Sequence, residues 1–232
     1  MRTILSLAFA AALAAAACGP DGPAPAPYVD AELYHRYDAT LGSLTAEAKL
    51  TLRDTVAGTD TAYLAPGGVA YLGSNLERTL TGSDFARHRG DVRVGDAAGI
   101  DPRFTFQLPG GEVAEVETHL RPFDTLIMGP LPTHNFGFTV YPGDPADVLL
   151  DDETLTALFT PADGTPQLAT IVGPTAPEAG YVFPRETVGG WPLGQGELVF
   201  IRRRTTALAQ PGLRGTLTEE MYSAPIKSAV VN

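Results

Sequence analysis

Residues 103–118 read RFTFQLPGGEVAEVET and contain the clearest local signal in the chain. Apolar and polar residues alternate on both sides of the central LPGGE, which is the two-residue period of a strand with one buried face. Pro109 suits the start of a turn, and Gly110 and Gly111 tolerate positive φ. The stretch therefore predicts a β-hairpin that turns at residues 108–112.

Short runs of this kind recur along the chain, and its 25 Gly and 20 Pro are too many for a helical bundle. Leu33, Tyr37, Leu41 and Leu44 recur at helical spacing, so residues 30–48 predict either a short helix or an N-terminal strand. The runs that predict further strands are 48–52, 61–65, 68–72, 92–94, 103–108, 113–118, 125–128, 136–141, 148–150, 154–160, 167–172, 181–183, 197–204, 216–222 and 229–231.

Many short strands with turn residues between them are typical of an all-β sandwich or barrel. The length after the first 30 residues suits two tandem immunoglobulin-like β-sandwich domains of about 100 residues each. Pro130 and Pro132 are unsuited to a central strand, and they place the boundary between domains at residues 31–130 and 131–232. A single large sandwich is the alternative.

The N-terminal segment has the features of an export signal. Arg2 precedes an apolar run over residues 4–13, which predicts a cleaved signal peptide at residues 1–17. Residues 18–30 follow as a tether in which Pro, Ala and Gly favour an extended chain.

Residues 15–18 read AAAC and end in Cys18, the single Cys of the chain. This segment resembles the lipobox of bacterial lipoproteins, with Ala15 where that family usually has Leu. The resemblance implies that Cys18 carries palmitate-type acyl chains and holds the protein on a membrane. It also implies a place in the cell envelope, with Gly19 favouring the outer membrane, on its periplasmic or surface face. An ordinary signal-peptidase site after Ala17 is the alternative.

The formal net charge of −11 is the opposite of what a phosphate backbone requires, so nucleic acid is not an expected partner. The acidic excess also repels anionic lipid surfaces. We therefore expect membrane contact through the N-terminal lipid alone, and an envelope protein or a glycan as a further partner.

Three carboxylates in succession, Asp151, Asp152 and Glu153, are the candidate metal ligands. Calcium in extracellular β-domains is bound by loop carboxylates, so these residues predict a calcium site. A solvated acidic loop is the plainer alternative. Carboxylates such as Asp151 or Asp152 would also suit a glycan hydrolase.

Trp191 lies in a Gly-rich segment and is the candidate ligand-binding residue, together with Tyr181. Aromatic rings on a loop could stack on a sugar or on apolar groups of a partner. The alternative is that Trp191 closes the end of the second sandwich. Arg202, Arg203 and Arg204 follow one another in a predicted strand, and we interpret them as charges that protect an edge strand from unwanted pairing.

Other catalytic patterns are missing from the sequence. No Ser has the G-x-S-x-G context, and the His residues have no H-E-x-x-H spacing. The sequence therefore favours a non-catalytic binding or structural module of the envelope. The alternatives are a glycan hydrolase that uses loop carboxylates and a calcium-dependent adhesion module.

Overall fold

The computed structural model describes residues 26–94, 100, 102–119, 121–123, 125–144, 148–173 and 180–232. These residues form an almost entirely β structure with one helix of four residues, which confirms the predicted all-β class. The predicted signal peptide, Cys18 and most of the tether lie outside the described residues.

The elements of the described residues are β1 (Tyr28–Asp38), β2 (Ser43–Asp54), β3 (Thr59–Ala62), β4 (Val69–Tyr71), β5 (Ser74–Asn75), β6 (Glu77–Thr81), β7 (Ala86–Arg93), β8 (Arg103–Gln107), β9 (Val113–Glu117), β10 (Leu126–Met128), β11 (Phe138–Pro142), β12 (Glu153–Pro161), β13 (Gln167–Val172), β14 (Tyr181–Phe183), α1 (Arg185–Val188), β15 (Gly194–Gln210), β16 (Leu213–Tyr222) and β17 (Ile226–Val230).

The hairpin predicted from residues 103–118 is confirmed. Strands β8 and β9 pair antiparallel, and Phe104 and Phe106 face inward opposite Val116 and Ala114. Gly111 has a φ of 89°, and its N–H donates to the carbonyl oxygen of Leu108 at 2.9 Å, so the turn lies where the sequence places it.

Residues 30–48 belong to strands β1 and β2 and the turn between them, so the second of the two alternatives predicted for them, an N-terminal strand, is confirmed. Leu33 and Tyr37 both point inward from β1, since they are separated by an even number of residues. Leu44 points inward from β2 after a turn. The helical spacing of these residues is thus produced by two strands joined by a short connection.

The largest sheet has ten strands and includes strands from both sides of the predicted boundary at residues 130/131. Its main path runs β13–β12–β15–β16–β1–β2–β7–β6, with β17 paired to β15 and β3 paired to β2. Strand β1 is parallel to β16 and antiparallel to β2. Two smaller sheets, β10–β11–β14 and β5–β4–β8–β9, complete the fold.

Strand β15 is a central strand, so the interpretation of Arg202–Arg204 as edge protection is wrong. These residues pair with Glu153–Leu155 of β12 on one side and with Glu219–Met221 of β16 on the other. Alternation nevertheless holds, because Arg202 is buried while Arg203 is exposed.

Two apolar cores cover the inner face of the large sheet. The first lies between the small sheet of β4, β8 and β9 and strands β1, β2 and β16, and it includes Leu33, Phe104 and Leu217. The second lies between the sheet of β11 and β14 and strands β12 and β15, and it includes Phe159 and Phe200. Phe123 packs against both cores.

Candidate functional site

A row of polar side chains crosses the large sheet from the start of β12 to the middle of β1. Glu153 on β12 is in register with Arg204 on β15, which is in register with Glu219 on β16, which is in register with His35 on β1. Register neighbours point to the same face of a sheet, so the four side chains form one line. We call this row, together with Arg121 and Arg202, the polar seam.

Glu153 is held by the segment that connects β9 to β10. Its side chain is only 3% exposed, and its two oxygens accept hydrogen bonds from Nη1 of Arg121 at 2.9 and 2.8 Å. Oε2 also accepts from the N–H of Leu150 at 2.9 Å. Nη2 of Arg121 donates to the carbonyl oxygen of Val148 at 3.0 Å. A buried carboxylate is tolerated only with such partners, so these bonds offset the cost of removing Glu153 from water.

Arg202 is fully enclosed beside this pair. Its Nη1 donates to the carbonyl oxygen of Arg121 at 2.9 Å, and its Nη2 donates to the Tyr181 hydroxyl at 3.3 Å. The guanidinium carbon lies 4.7 Å from the centre of the Phe123 ring, within the range of a cation–π contact. The β9–β10 connection is therefore fastened to both β12 and β15.

His35 and Glu219 form the other half of the seam, and Tyr71 lies next to His35. Nδ1 of His35 lies 2.9 Å from the Tyr71 hydroxyl, and Nε2 lies 3.7 Å from Oε1 of Glu219. Oε1 also accepts the N–H of His119 at 2.6 Å. Burial, with a smaller contribution from His119, lowers the pKa of His35 to about 3. His35 is thus neutral at neutral pH, and its contact with Glu219 is not an ion pair.

Burial raises the pKa of Glu219, and the charge of Glu153 adds to this effect. The hydrogen bond from His119 and the charge of Arg204 act in the opposite direction. Glu219 therefore retains its proton to a higher pH than an ordinary glutamate.

His35 should make the protein sensitive to acid. Its folded-state pKa is about 3 against 6.5 when exposed, so the unfolded chain binds the extra proton and stability is lost as the pH falls below 6.5. The slope is about 1.4 kcal/mol per pH unit, or about 2 kcal/mol between pH 7 and pH 5. Glu219 acts in the opposite direction, because its raised pKa lowers stability as the pH rises above 4.5.

Urea unfolding of wild type and His35→Gln at pH 7 and pH 5 checks this expectation. The free energy of unfolding of His35→Gln should no longer fall by the roughly 2 kcal/mol that His35 contributes between pH 7 and pH 5. The control His119→Gln changes an exposed side chain and should keep most of this fall. An unchanged pH dependence in His35→Gln would contradict the assignment.

A groove of about 480 Å³ opens beside the seam. Glu117, His119, Arg204 and Glu219 are among the residues that line it. A carboxyl group with a raised pKa at the wall of a groove has the chemistry of a general acid. Glu219 is the seam residue with this property, and nothing near it in the sequence distinguishes it from other strand glutamates.

The three carboxylates predicted as calcium ligands point in different directions. Asp151 is exposed, Oδ2 of Asp152 accepts a hydrogen bond from Nε of Arg204 at 2.6 Å, and Glu153 faces inward to Arg121. In the described part of the chain, no group of three or more His, Cys, Asp or Glu is placed to hold a metal ion.

The side chains of Trp191 and Tyr181 lie in the second core, and Trp191 itself is on the connection between α1 and β15. Trp191 is 3% exposed and stacks on Phe159, with ring centres 5.4 Å apart, while Phe138 contacts it at 5.9 Å. Tyr181 is 1% exposed, and its hydroxyl accepts the bond from Arg202. Protein contacts therefore surround both rings, as the alternative of a closing Trp191 requires.

Comparison of the chain with models of known protein families, with curated proteins and with solved structures finds no match. Among the described residues, none of the helical structure is long or apolar enough to cross a membrane.

Proposed function

We propose that this chain is a lipid-anchored lipoprotein of the cell envelope that acts as a non-catalytic binding or structural module. The supporting observation is that the charges of the polar seam are used within the fold. Glu153 is held by Arg121, Asp152 by Arg204, and Glu219 by a backbone N–H. Catalytic carboxylates must be free to exchange protons with a substrate, whereas these groups connect strands.

We favour the single-unit alternative over two independent immunoglobulin-like domains at residues 31–130 and 131–232. The reason is that β1 pairs with β16 over ten register positions, so a strand of the first predicted domain is bonded to a strand of the second. A single folded unit with two apolar cores would then be attached to the membrane by one lipid anchor.

The anchor is proposed at Cys18, in the outer membrane, on the periplasmic or the surface face. Ten peptide links separate Cys18 from Tyr28, so these two residues are at most about 36 Å apart when the tether is extended. The fold would therefore stay close to the bilayer that holds it.

Replacement of the thiol tests the anchor. We expect wild-type protein made in bacterial cells to incorporate an alkynyl palmitate label and to enter the detergent phase on Triton X-114 partitioning. Cys18→Ser should abolish the label, because no thiol remains to be acylated, whereas Ala24→Ser in the tether should keep it. Absence of label from the wild type, with an unmodified N-terminus in its mass spectrum, would contradict the proposal.

A glycan hydrolase is the second candidate, and one observation favours it. Glu219 lines a groove and has a raised pKa, which suits a general acid. A hydrolase also needs a second carboxylate, and Asp152 is the loop carboxylate that contacts Arg204 of the same groove.

A panel of peptidoglycan and polysaccharide fragments separates the two candidates. For the binding module we expect no release of reducing ends at any pH between 4 and 8. Turnover that falls at least about 100-fold in Glu219→Gln or Asp152→Asn, but not in the exposed Asp151→Asn, would establish the hydrolase instead. Thermal unfolding of each variant checks that the fold is intact.

A further inference from the structure

Phe136 is 86% exposed at the tip of a tight turn over residues 133–137. The N–H of Thr133 donates to the carbonyl oxygen of Gly137 at 3.0 Å, and the reverse bond is 2.9 Å. Oγ1 of Thr133 accepts the N–H of Phe136 at 3.0 Å. The most exposed large apolar side chain of the described residues thus stands on a turn with a defined backbone.

The turn is also fastened to the rest of the fold. The N–H of His134 donates to the carbonyl oxygen of Val231 at 3.1 Å, and Nε2 of His134 donates to that of Trp191 at 2.7 Å. Gly137 has a φ of 72°, and a Cβ there would collide with the carbonyl oxygen of Phe183. Because the backbone of this turn is already fixed, little backbone conformational entropy is lost when a partner binds Phe136.

Three further exposed apolar side chains belong to segments bonded to this turn. They are Leu131 (46% exposed), Leu193 (53%) and Val231 (39%). The N–H of Val231 donates to the carbonyl oxygen of Pro132 at 2.9 Å, and Leu193 closely follows Trp191. We call Phe136, Leu131, Leu193 and Val231 the apical patch.

The segments that carry the apical patch contain no ionised side chains. Residues 129–137, 187–196 and 228–232 include no Asp, Glu, Lys or Arg. At 19% charged residues across the chain, between about four and five would be expected in these 24 positions. Glu197 and Lys227, which carry opposite charges, line the same groove as Leu131, so the net charge around the patch is close to zero on a strongly acidic protein.

The apical patch lies at the opposite end of β15 from the start of β1. Gly194, the first residue of β15, pairs with Val230 next to the patch. The other end of β15 is Gln210, and a turn follows it. In this turn the carbonyl oxygen of Gly212 accepts a hydrogen bond from the N–H of Val29, near the start of β1. The patch and the point where the tether joins the fold thus lie at opposite ends of a 17-residue strand, which is about 50 Å long when straight.

We propose that the apical patch docks into an apolar pocket of another envelope protein, with Phe136 as the inserted side chain and a neutral or basic rim around the pocket. Aromatic side chains, Phe among them, are enriched in the cores of protein interfaces. A bilayer is disfavoured because the net charge of −11 repels anionic lipid and because the patch lies far from the tether. This second reason rests on the proposed Cys18 anchor. A second copy of this chain is also disfavoured as the occupant, because two molecules that each carry a net charge of −11 repel each other.

Photo-crosslinking in the bacterial cell identifies the occupant. Benzoylphenylalanine is placed at Phe136 in the full chain and, as a matched control, at Val56, which is 65% exposed on another turn. We expect one discrete adduct of a single other protein from position 136, at least about ten times stronger than from position 56. The adduct should also be lost in Leu131→Asp.

Binding of the captured protein then decides the proposal. Purified, it should bind the wild-type chain at least about 30-fold more tightly than Phe136→Ser, whereas Val56→Ser should stay within about twofold of wild type. An adduct of twice the chain's own mass, an adduct with lipid alone, equal labelling at both positions, or equal affinity of Phe136→Ser would overturn it. These readouts do not require acylation of Cys18, so a failed anchor and a failed patch give different results.

Discussion

A chain that ends after residue 130 is expected not to fold. Residues 26–130 keep β1 to β10 but lose β16, the strand that pairs with β1 over ten register positions. The first core also loses Leu208, Leu213, Leu217 and Met221, all of which are buried. Each buried apolar side chain of this size contributes about 1.5–3 kcal/mol, so their sum of about 6–12 kcal/mol is comparable to the whole stability of a typical domain.

Urea unfolding and amide hydrogen exchange of the 26–130 fragment measure this loss. We expect no cooperative transition and little protection, while the 26–232 chain should unfold in a single transition. Addition of residues 131–232 as a separate chain should restore protection in β1, since it supplies β16. A fragment with a sharp transition and protected β8 and β9 amides would instead establish two independently folding domains.

Replacement of Trp191 by Ala is expected to destabilise the protein by about 3–5 kcal/mol. The indole is buried between Phe159 and Phe138, and its removal leaves a cavity in the second core. The neighbouring turn should loosen too, because His134 donates to the Trp191 carbonyl oxygen. Trp191→Phe should recover much of the loss, since it refills part of the cavity.

Chemical denaturation of Trp191→Ala and Leu193→Ala measures the difference. Leu193 is 53% exposed and two residues away, so its replacement should change stability by no more than about 0.5 kcal/mol. A Trp191→Ala protein of wild-type stability that lost binding to a glycan or partner would support the ligand-binding role predicted from the sequence.

The parts of the fold that depend on local pattern could be predicted. The β8–β9 hairpin is determined by alternation and by Gly111 at the turn, both of which are visible within sixteen residues. Residues 30–48 are ambiguous in the sequence because Leu33, Tyr37 and Leu44 fit a helix as well as two strands, and spacing alone does not distinguish them.

The polar seam could not be predicted, because its contacts are distant in the chain. Glu153 and Arg121 are 32 residues apart, and Arg202 contacts the carbonyl oxygen of Arg121 from 81 residues away. His35 and Glu219 meet only because β1 runs parallel to β16. A charged residue in a strand has the same sequence pattern whether solvent or two further strands lie beside it, so the sequence of Arg202 does not reveal that β15 is a central strand.

The parallel pairing of β1 with β16 also determines how the molecule would bear mechanical force. If the chain is anchored at Cys18 and bound at the apical patch, as proposed, tension would pull β1 along its own axis. The strand would then have to slide past β16 and β2 at once, so the hydrogen bonds of both ladders share the load in shear instead of opening one after another. We therefore expect the fold to resist stretching between its two ends far better than peeling of β17 from its C-terminal end, which would unzip five register pairs in sequence.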